Sequence, residues 1–462
     1  MQPLNIAIVH PDLGIGGAER LVVDTALALQ QRGHRVHIYT LHHSPAHSFA
    51  ETRDGTLDVR VVTSWFPRTL FGRMRILCAT LQAQSLAQGV ANAHTQYDAI
   101  FADIASAPIP LLKYANAHIL FYCHFPDKLL APRATLWQRV YRAPFDVLEQ
   151  MTTGEADMVA VNSRFTQETF RAAFPRLPLP RVVHPALNCA AYDAAPVDGA
   201  DIRALRTPRT VVLSVSRFGR KKSVALAIDA LACMGDKGVC LVVAGGWDPR
   251  VRENSEHLRE LDAHARALGL ATRTVAPRGS PPEVLALLPP GAERVPTFAD
   301  DSAEPPAPAD VLFVPSFTEN QRAHLLSVAR CVVYTPANEH LGIVPLEAMY
   351  MRVPVVAADS GGPRETVVHG STGYLCEHSA DAFAAAITRV LRAEDSAWRA
   401  MGAAGRARVL EHFSLGAYAL KLEGLFQIMF ESPTHVSSVL GILMTLFIVC
   451  LSGSLFLAAT YL

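Results

Sequence analysis

The stretch YTPANEHLGIVPLEAMYMRVPVVAADSGGPRE, residues 334–365, decides the fold of its half of the chain. A β-branched run at Val353–Ala357 stands between a hydrophobic helical segment and the turn Ser360-Gly-Gly-Pro-Arg364, as in a parallel α/β sheet. Two glutamates, Glu339 and Glu347, are set eight positions apart around that segment. Eight residues is just over two helical turns, so one helix surface does not present both carboxylates side by side. Glu339 is therefore expected on the loop before a helix that starts near Gly342, with Glu347 inside the helix. The N–H groups of His340, Leu341, Gly342 and Ile343 would be donors at its N-terminus, suited to a diphosphate or a polarised sugar. A carboxylate further along can accept from a ribose diol. The same pair would also serve as a helix cap and a solvated helix acid, and spacing alone does not choose.

Working outward, ten short apolar runs alternate with helical stretches. In the first half they are Ile6–Val9, Val36–Thr40, Ala99–Ala102, His118–Tyr122 and Met158–Val161. In the second they are Val211–Val215, Cys240–Gly246, Val311–Val314, Cys331–Tyr334 and Pro354–Ala357. Helices are expected over Ala18–Arg32, Val224–Leu231, Asp381–Leu391 and Ala397–Leu410. This alternation predicts two doubly wound α/β domains, 1–195 and 205–415, joined through a Pro/Ala/Asp-rich segment and followed by a return helix over 416–432. The segment 279–309 carries eight prolines and reads as a disordered surface insertion without catalytic role.

Composition narrows the function classes. The chain of 462 residues balances 42 basic against 42 acidic side chains, which argues against nucleic acid as a partner. Its eight cysteines form no CxxC pair and no metal-ligand spacing, so a reducing compartment fits. The N-terminus lacks a basic leader, and no secretory signal is expected. Residues 436–462 carry no charge and are long enough to span a bilayer, so a C-terminal transmembrane anchor is expected, with the domains on the cytosolic side.

Four further motifs offer chemistry. Ser216-Arg-Phe-Gly-Arg-Lys-Lys222 follows a strand and opens a helix, a position where cations can stabilise a departing diphosphate. Gly14-Ile-Gly16-Gly17-Ala-Glu19 departs from the dinucleotide fingerprint but lets a backbone approach a ligand closely. His124, at a strand end in Cys-His-Phe-Pro-Asp, can bond a sugar hydroxyl or move a proton; a structural role is the default for the other histidines. Trp65 to Arg75 interleaves aromatics with arginines, as in a helix packing one face or a segment lying on lipid head groups.

The Tyr-Thr-Pro preceding Glu339, the Pro-Leu-Glu-Ala-Met around Glu347 and their spacing resemble the signature of retaining GT-B glycosyltransferases of family 4. The resemblance runs over residues 4–430 apart from 279–309, and Leu341 stands where relatives often have phenylalanine. It implies two Rossmann-like domains facing a cleft, the first on the acceptor side and the second binding the nucleotide sugar. It also implies that Glu339 faces the transferred sugar and Glu347 the ribose, that Arg217 and Lys222 hold the diphosphate, and that Gly361 and Gly362 lie near the phosphates. Gly16 and Gly17 would line the cleft, and His124 is raised above other histidines, with His340 a second candidate.

Within the family, Ile-Val-His-Pro-Asp-Leu-Gly-Ile-Gly-Gly-Ala-Glu-Arg (8–20) is similar to enzymes that extend dolichol-linked oligosaccharides at the endoplasmic-reticulum membrane. This implies GDP-mannose as donor, dolichyl-diphosphate-linked Man-GlcNAc2 as acceptor and two mannoses added in α-1,3 and α-1,6 linkage with retention. Other glycosyltransferases of the pathway are possible complex partners. The implied mechanism is front-face: the departing phosphate oxygen takes the acceptor proton while Arg217, Lys222 and helix N–H groups hold the charge, with no metal or other cofactor required. A related enzyme with a different donor and a catalytically silent membrane scaffold are the two alternatives.

Overall fold

In the computed structural model the described residues are 1–69, 74–131, 133–193, 195–294 and 308–431, with positions 442, 443, 446 and 450. The chain forms two compact units, Met1–Ala186 with Phe413–Leu462, and Leu187–His412.

The first unit is built on seven strands: β1 (Asn5–Val9), β2 (Arg35–Thr40), β3 (Asp58–Val61), β4 (Ala99–Asp103), β5 (His118–Cys123), β6 (Met158–Val161) and β7 (Arg181–Val182). They pair in parallel in the order β3-β2-β1-β4-β5-β6-β7. Every residue of β4 is buried, as expected of a parallel strand covered by helices on both faces. One face packs under helix Gly17–Gln31, through Leu21, Val22 and Leu29, and under helix Leu415–Phe430, through Tyr418, Leu422 and Phe426. That last helix is clamped to the first: the Glu423 carboxylate accepts from Arg32 Nη2 at 3.0 Å and from His34 Nε2 at 3.0 Å. His34 Nδ1 accepts the Leu4 N–H, which leaves the proton on Nε2. Burial disfavours the ionised Glu423, but these bonds outweigh it and hold the carboxyl below its ordinary range.

The second unit repeats the plan with β8 (Thr210–Val215), β9 (Val239–Gly245), β10 (Thr272–Thr274), β11 (Val311–Pro315), β12 (Ala329–Tyr334), β13 (Val355–Ala358) and β14 (Gly373–Cys376). These are parallel in the order β10-β11-β9-β8-β12-β13-β14. Val212, Leu241, Val243, Phe313 and Val333 join Ile228 and Leu231 of helix Val224–Met234 and Phe383 and Ile387 of helix Ala380–Leu391 in one core.

All ten expected apolar runs are strands. The segment from residue 279 differs from the irregular insertion expected of it. Pro282–Leu285 is a helical turn and Leu288 is buried in the core, because its leucines answer an apolar surface that the prolines obscured. Residues 295–307 of that segment lie outside the described residues. So does nearly all of 436–462, the expected membrane anchor; among the described residues no helix is long and apolar enough to cross a membrane.

Candidate active site

In both sheets the strand order reverses at the centre, between β1 and β4 and between β8 and β12. Loops leaving the C-terminal ends of such neighbouring strands diverge and open a crevice between them. Most of the residues of interest leave from those four ends, with His124 after the neighbouring β5 and the Gly361–Gly362 turn after β13.

In the second unit, β8 runs into Ser216, Arg217 and Phe218. Fully buried Phe218 pins the turn, its carbonyl accepting from Asn254 Nδ2 at 2.8 Å. Arg217 is exposed and has no ion pair among the described residues. Arg220 turns outward to Glu260, 2.5 Å away. Lys222 turns to the other loop: its Nζ lies 2.5 Å from Glu339 Oε2, both side chains about one quarter exposed. The Thr335 hydroxyl, at the end of β12, donates to the Lys222 carbonyl at 2.9 Å and ties the two loops together.

Glu339 lies before helix Ile343–Tyr350, as its spacing from Glu347 requires. Its loop is pressed onto the Ser360–Gly362 turn. The Asn338 N–H donates to Ser360 Oγ at 3.0 Å, and the Gly362 N–H donates to the Glu339 carbonyl at 2.8 Å. Gly361 has φ +59, and a Cβ there would sit 2.4 Å from the Glu339 carbonyl oxygen; one at Gly362 would sit 2.2 Å from Leu341 Cα. Only a backbone without side chains fits against this loop. His340 is half-buried, Leu341 is buried, Gly342 caps the helix and Ile343 is exposed. Burial, then the charge of Glu339, pushes the Tyr334 hydroxyl well above its ordinary pKa, so a neutral phenol stands beside the carboxylate.

Glu347 has a different setting. It is 7% exposed, which excludes the reading of a solvated helix acid. Arg322, from helix Glu319–Val328, brings Nη1 to 3.6 Å from Oε1 and stacks over the Tyr192 ring at 4.5 Å. Burial raises the Glu347 carboxyl above its usual range, while the Arg322 charge and a Tyr192 hydrogen bond oppose the rise.

In the first unit three adjacent strand ends bring together His10 after β1, Asp103 closing β4 and His124 after β5. His10 Nδ1 is 2.8 Å from Asp103 Oδ2, and His124 Nε2 is 2.8 Å from Asp103 Oδ1. The second approach has ion-pair distance without hydrogen-bond alignment, so His124 Nε2 and Asp103 Oδ1 lack a directional bond. Gly16, in extended conformation, precedes helix Gly17–Gln31. A Cβ on it would fall 2.2 Å from Glu19 Oε2, so its bareness lets Glu19 fold back to within 3.9 Å of His10 Nε2.

Sequence reading singled out Lys222, Glu339, Gly361 and Gly362, which meet in one cluster, and His124, Gly16 and Gly17, which lie in the first unit. It missed His10, Asp103, Arg322, Tyr192 and Thr335. Two signals were available: Asp103 is a carboxylate ending an apolar strand, and Thr318-x-x-Gln321 is a capping box announcing the helix that carries Arg322.

Two family models match the chain, Glycosyltransferase Family 4 over residues 15–190 and Glycosyl transferases group 1 over 302–408. Among solved structures, sucrose-phosphate synthase from Thermosynechococcus elongatus is 22% identical, with a TM-score of 0.66 over 93% of this chain and 99% of that one. Anabaena HepE in complex with UDP and glucose is 19% identical, with a TM-score of 0.63 over 92% of this chain and 100% of that one. The two parallel-sheet units are thus those of the GT-B glycosyltransferase class. Several curated relatives are named Alpha-1,3/1,6-mannosyltransferase ALG2. The protein of that name from Rhizomucor pusillus is 44% identical, covering 97% of this chain and 98% of the relative. The one from Homo sapiens is 40% identical, over 90% and 94% respectively. The chain belongs to the alpha-1,3/1,6-mannosyltransferase family.

Proposed function

We propose that the chain transfers two mannoses from GDP-mannose to dolichyl-diphosphate-linked Man-GlcNAc2, in α-1,3 and α-1,6 linkage, with retention at the anomeric carbon. The observation that carries the reading is the Lys222–Glu339 pair at the β8/β12 switch point, in a chain similar over nearly their whole length to the Rhizomucor pusillus and Homo sapiens mannosyltransferases. A cation and a carboxylate held together, with glycine backbone beneath them, suit a sugar next to a diphosphate. Glu339 receives the sugar hydroxyls, and Lys222 and Arg217 neutralise the diphosphate, with His340, Leu341, Gly342, Ile343, Gly361 and Gly362 lining its approach. Glu347 takes the ribose; in the first unit, His124 bonds a sugar hydroxyl and the Gly16–Gly17 loop lets its backbone approach a ligand closely. The acceptor hydroxyl attacks from the face the GDP leaves, and its proton passes to the departing phosphate oxygen. No carboxylate has to act as nucleophile.

Work takes place on the cytosolic face of the endoplasmic-reticulum membrane, with 436–462 as anchor and other dolichol-pathway glycosyltransferases as partners. Helix Leu136–Gly154 supports a membrane-facing first unit. It buries Phe145 and Leu148, yet leaves Leu136, Trp137, Val140 and Val147 at 74%, 69%, 45% and 51% exposure. Trp65, in the aromatic–arginine segment whose residues 70–73 lie outside the described ones, is 93% exposed. Indole and aliphatic side chains beside arginines suit the head-group boundary. The test is linkage analysis of the product formed from GDP-mannose and the Man-GlcNAc2 lipid. α-1,3- and α-1,6-linked mannose supports the proposal; transfer only from UDP-sugars, or no transfer, overturns it.

A further inference from the structure

The His10–Asp103–His124 cluster contains more than sugar binding by one histidine requires. Asp103 is fully enclosed, and each of its oxygens faces one imidazole at 2.8 Å. His10 has no exposed surface, whereas the His124 side chain is 24% exposed. Burying an ion pair costs more in lost hydration than it returns unless its geometry serves a purpose, and apolar residues of similar size would be neutral or stabilising here. Of the three residues, His124 is the one that reaches the surface.

We propose that His10 and Asp103 are positioning residues that fix the imidazole of His124 for hydrogen bonding to a sugar hydroxyl. This rests on the mannosyl-transfer reading. Asp103 faces Nε2 and leaves Nδ1, which has no hydrogen bond among the described residues, for the ligand. Tyr122 packs edge-on against the ring at 5.2 Å, and Asn162 Nδ2 donates to the His124 carbonyl at 3.1 Å, so ring and backbone are both held. A slight ring rotation would turn the 2.8 Å approach into an aligned hydrogen bond, the tightening that binding commonly brings. Ile104, next to Asp103, has φ +63, a strained conformation for a β-branched residue. His10 is lifted to a pKa of about 9: burial works against its charge, but the hydrogen bond to Asp103 and the nearby Glu19 carboxylate prevail. The other titratable groups facing the cluster are Glu19 from helix Gly17–Gln31, Tyr122 and Cys123 from β5, and Tyr418 from helix Leu415–Phe430.

The experiment measures kcat and KM for purified full-length D103N, H124N, H10Q and the D103N/H124N double variant, with GDP-mannose and the Man-GlcNAc2 lipid. D103N is expected to lower kcat by about 10²-fold with the GDP-mannose KM little changed. The double variant should be no slower than H124N, because Asp103 acts only through His124. A D103N enzyme with wild-type kcat, or one whose loss multiplies that of H124N, overturns the proposal. The imidazole ¹⁵N signals of His124 give a readout independent of turnover. They should report a single tautomer with Nε2 protonated in the wild type and a mixture in H10Q. An unchanged spectrum in H10Q also overturns it. A wild-type protein that transfers no mannose refutes the functional reading, and the ¹⁵N result still decides the positioning.

Discussion

Lys222 and Glu339, 117 positions apart in sequence, meet at 2.5 Å because they leave the ends of β8 and β12, adjacent central strands. Their partial exposure makes the pair a minor contributor to stability, about 0–1 kcal/mol. Replacing either by alanine is therefore expected to leave the melting temperature nearly unchanged. Mannosyl transfer should fall by about 10²–10³-fold, as when one preorganised charge partner of a transition state is lost. A transfer assay alongside a thermal melt checks both halves, and wild-type-like transfer by either variant would refute the assigned roles.

Gly361→Ala places a Cβ against backbone and forces a side chain into positive φ. The expected cost is roughly 1–3 kcal/mol of stability. Because the displaced atoms belong to Glu339, transfer should fall further than stability does. Denaturant unfolding compared with specific activity reads the two separately.

Glu347→Gln keeps the shape of the side chain and removes the charge that Arg322 faces. It is expected to raise the KM for GDP-mannose with little loss of fold. Arg322→Ala should destabilise more, since it strands a buried carboxylate and uncovers the Tyr192 ring. Thermal melts and donor saturation curves of both variants give the comparison.

Stability should fall as pH rises from neutrality. The folded-state pKa of His10, about 9, lies above its reference of 6.5, so the contribution is complete below about 6.5 and disappears as pH passes 9. Asp103 gives the opposite limb. Burial pushes its carboxyl up, but the His124 charge and the His10 hydrogen bond bring it from 3.8 to about 2, so its contribution holds above about 4 and is lost as pH falls through 2. Urea unfolding of wild type and H10Q between pH 6 and 10 should show the alkaline slope only in the wild type.

Leu136→Glu with Trp137→Glu should leave the fold intact, both side chains being exposed, and reduce sedimentation with phosphatidylcholine–phosphatidylinositol vesicles. Unchanged vesicle binding would remove this helix from the proposed membrane face.

The ten strands legible in the sequence are the interior strands of both sheets. The four that were not, β3, β7, β10 and β14, are the four sheet edges. An edge strand is covered on fewer sides, and β3 and β10 accordingly lack a continuous apolar run. The site shows the same division. Lys222 and Glu339 were readable because each sits in a local motif. The Asp103 pairing was not, because three separate loops meet only after the strand order is known. Arg322 escaped notice because its helix is marked by a cap rather than by an apolar stripe.

Helix Leu415–Phe430 belongs to the unit formed by the opening residues, while Leu187–His412 is contiguous. During synthesis the usual N-to-C order of domain folding is therefore inverted. The middle of the chain can finish first, whereas the opening unit waits, with Thr25, Arg32 and His34 uncovered, until the helix bearing Tyr418 and Glu423 has left the ribosome. A nascent chain stalled before residue 415 would carry a completed second unit and an unsealed first one, a ready substrate for chaperones.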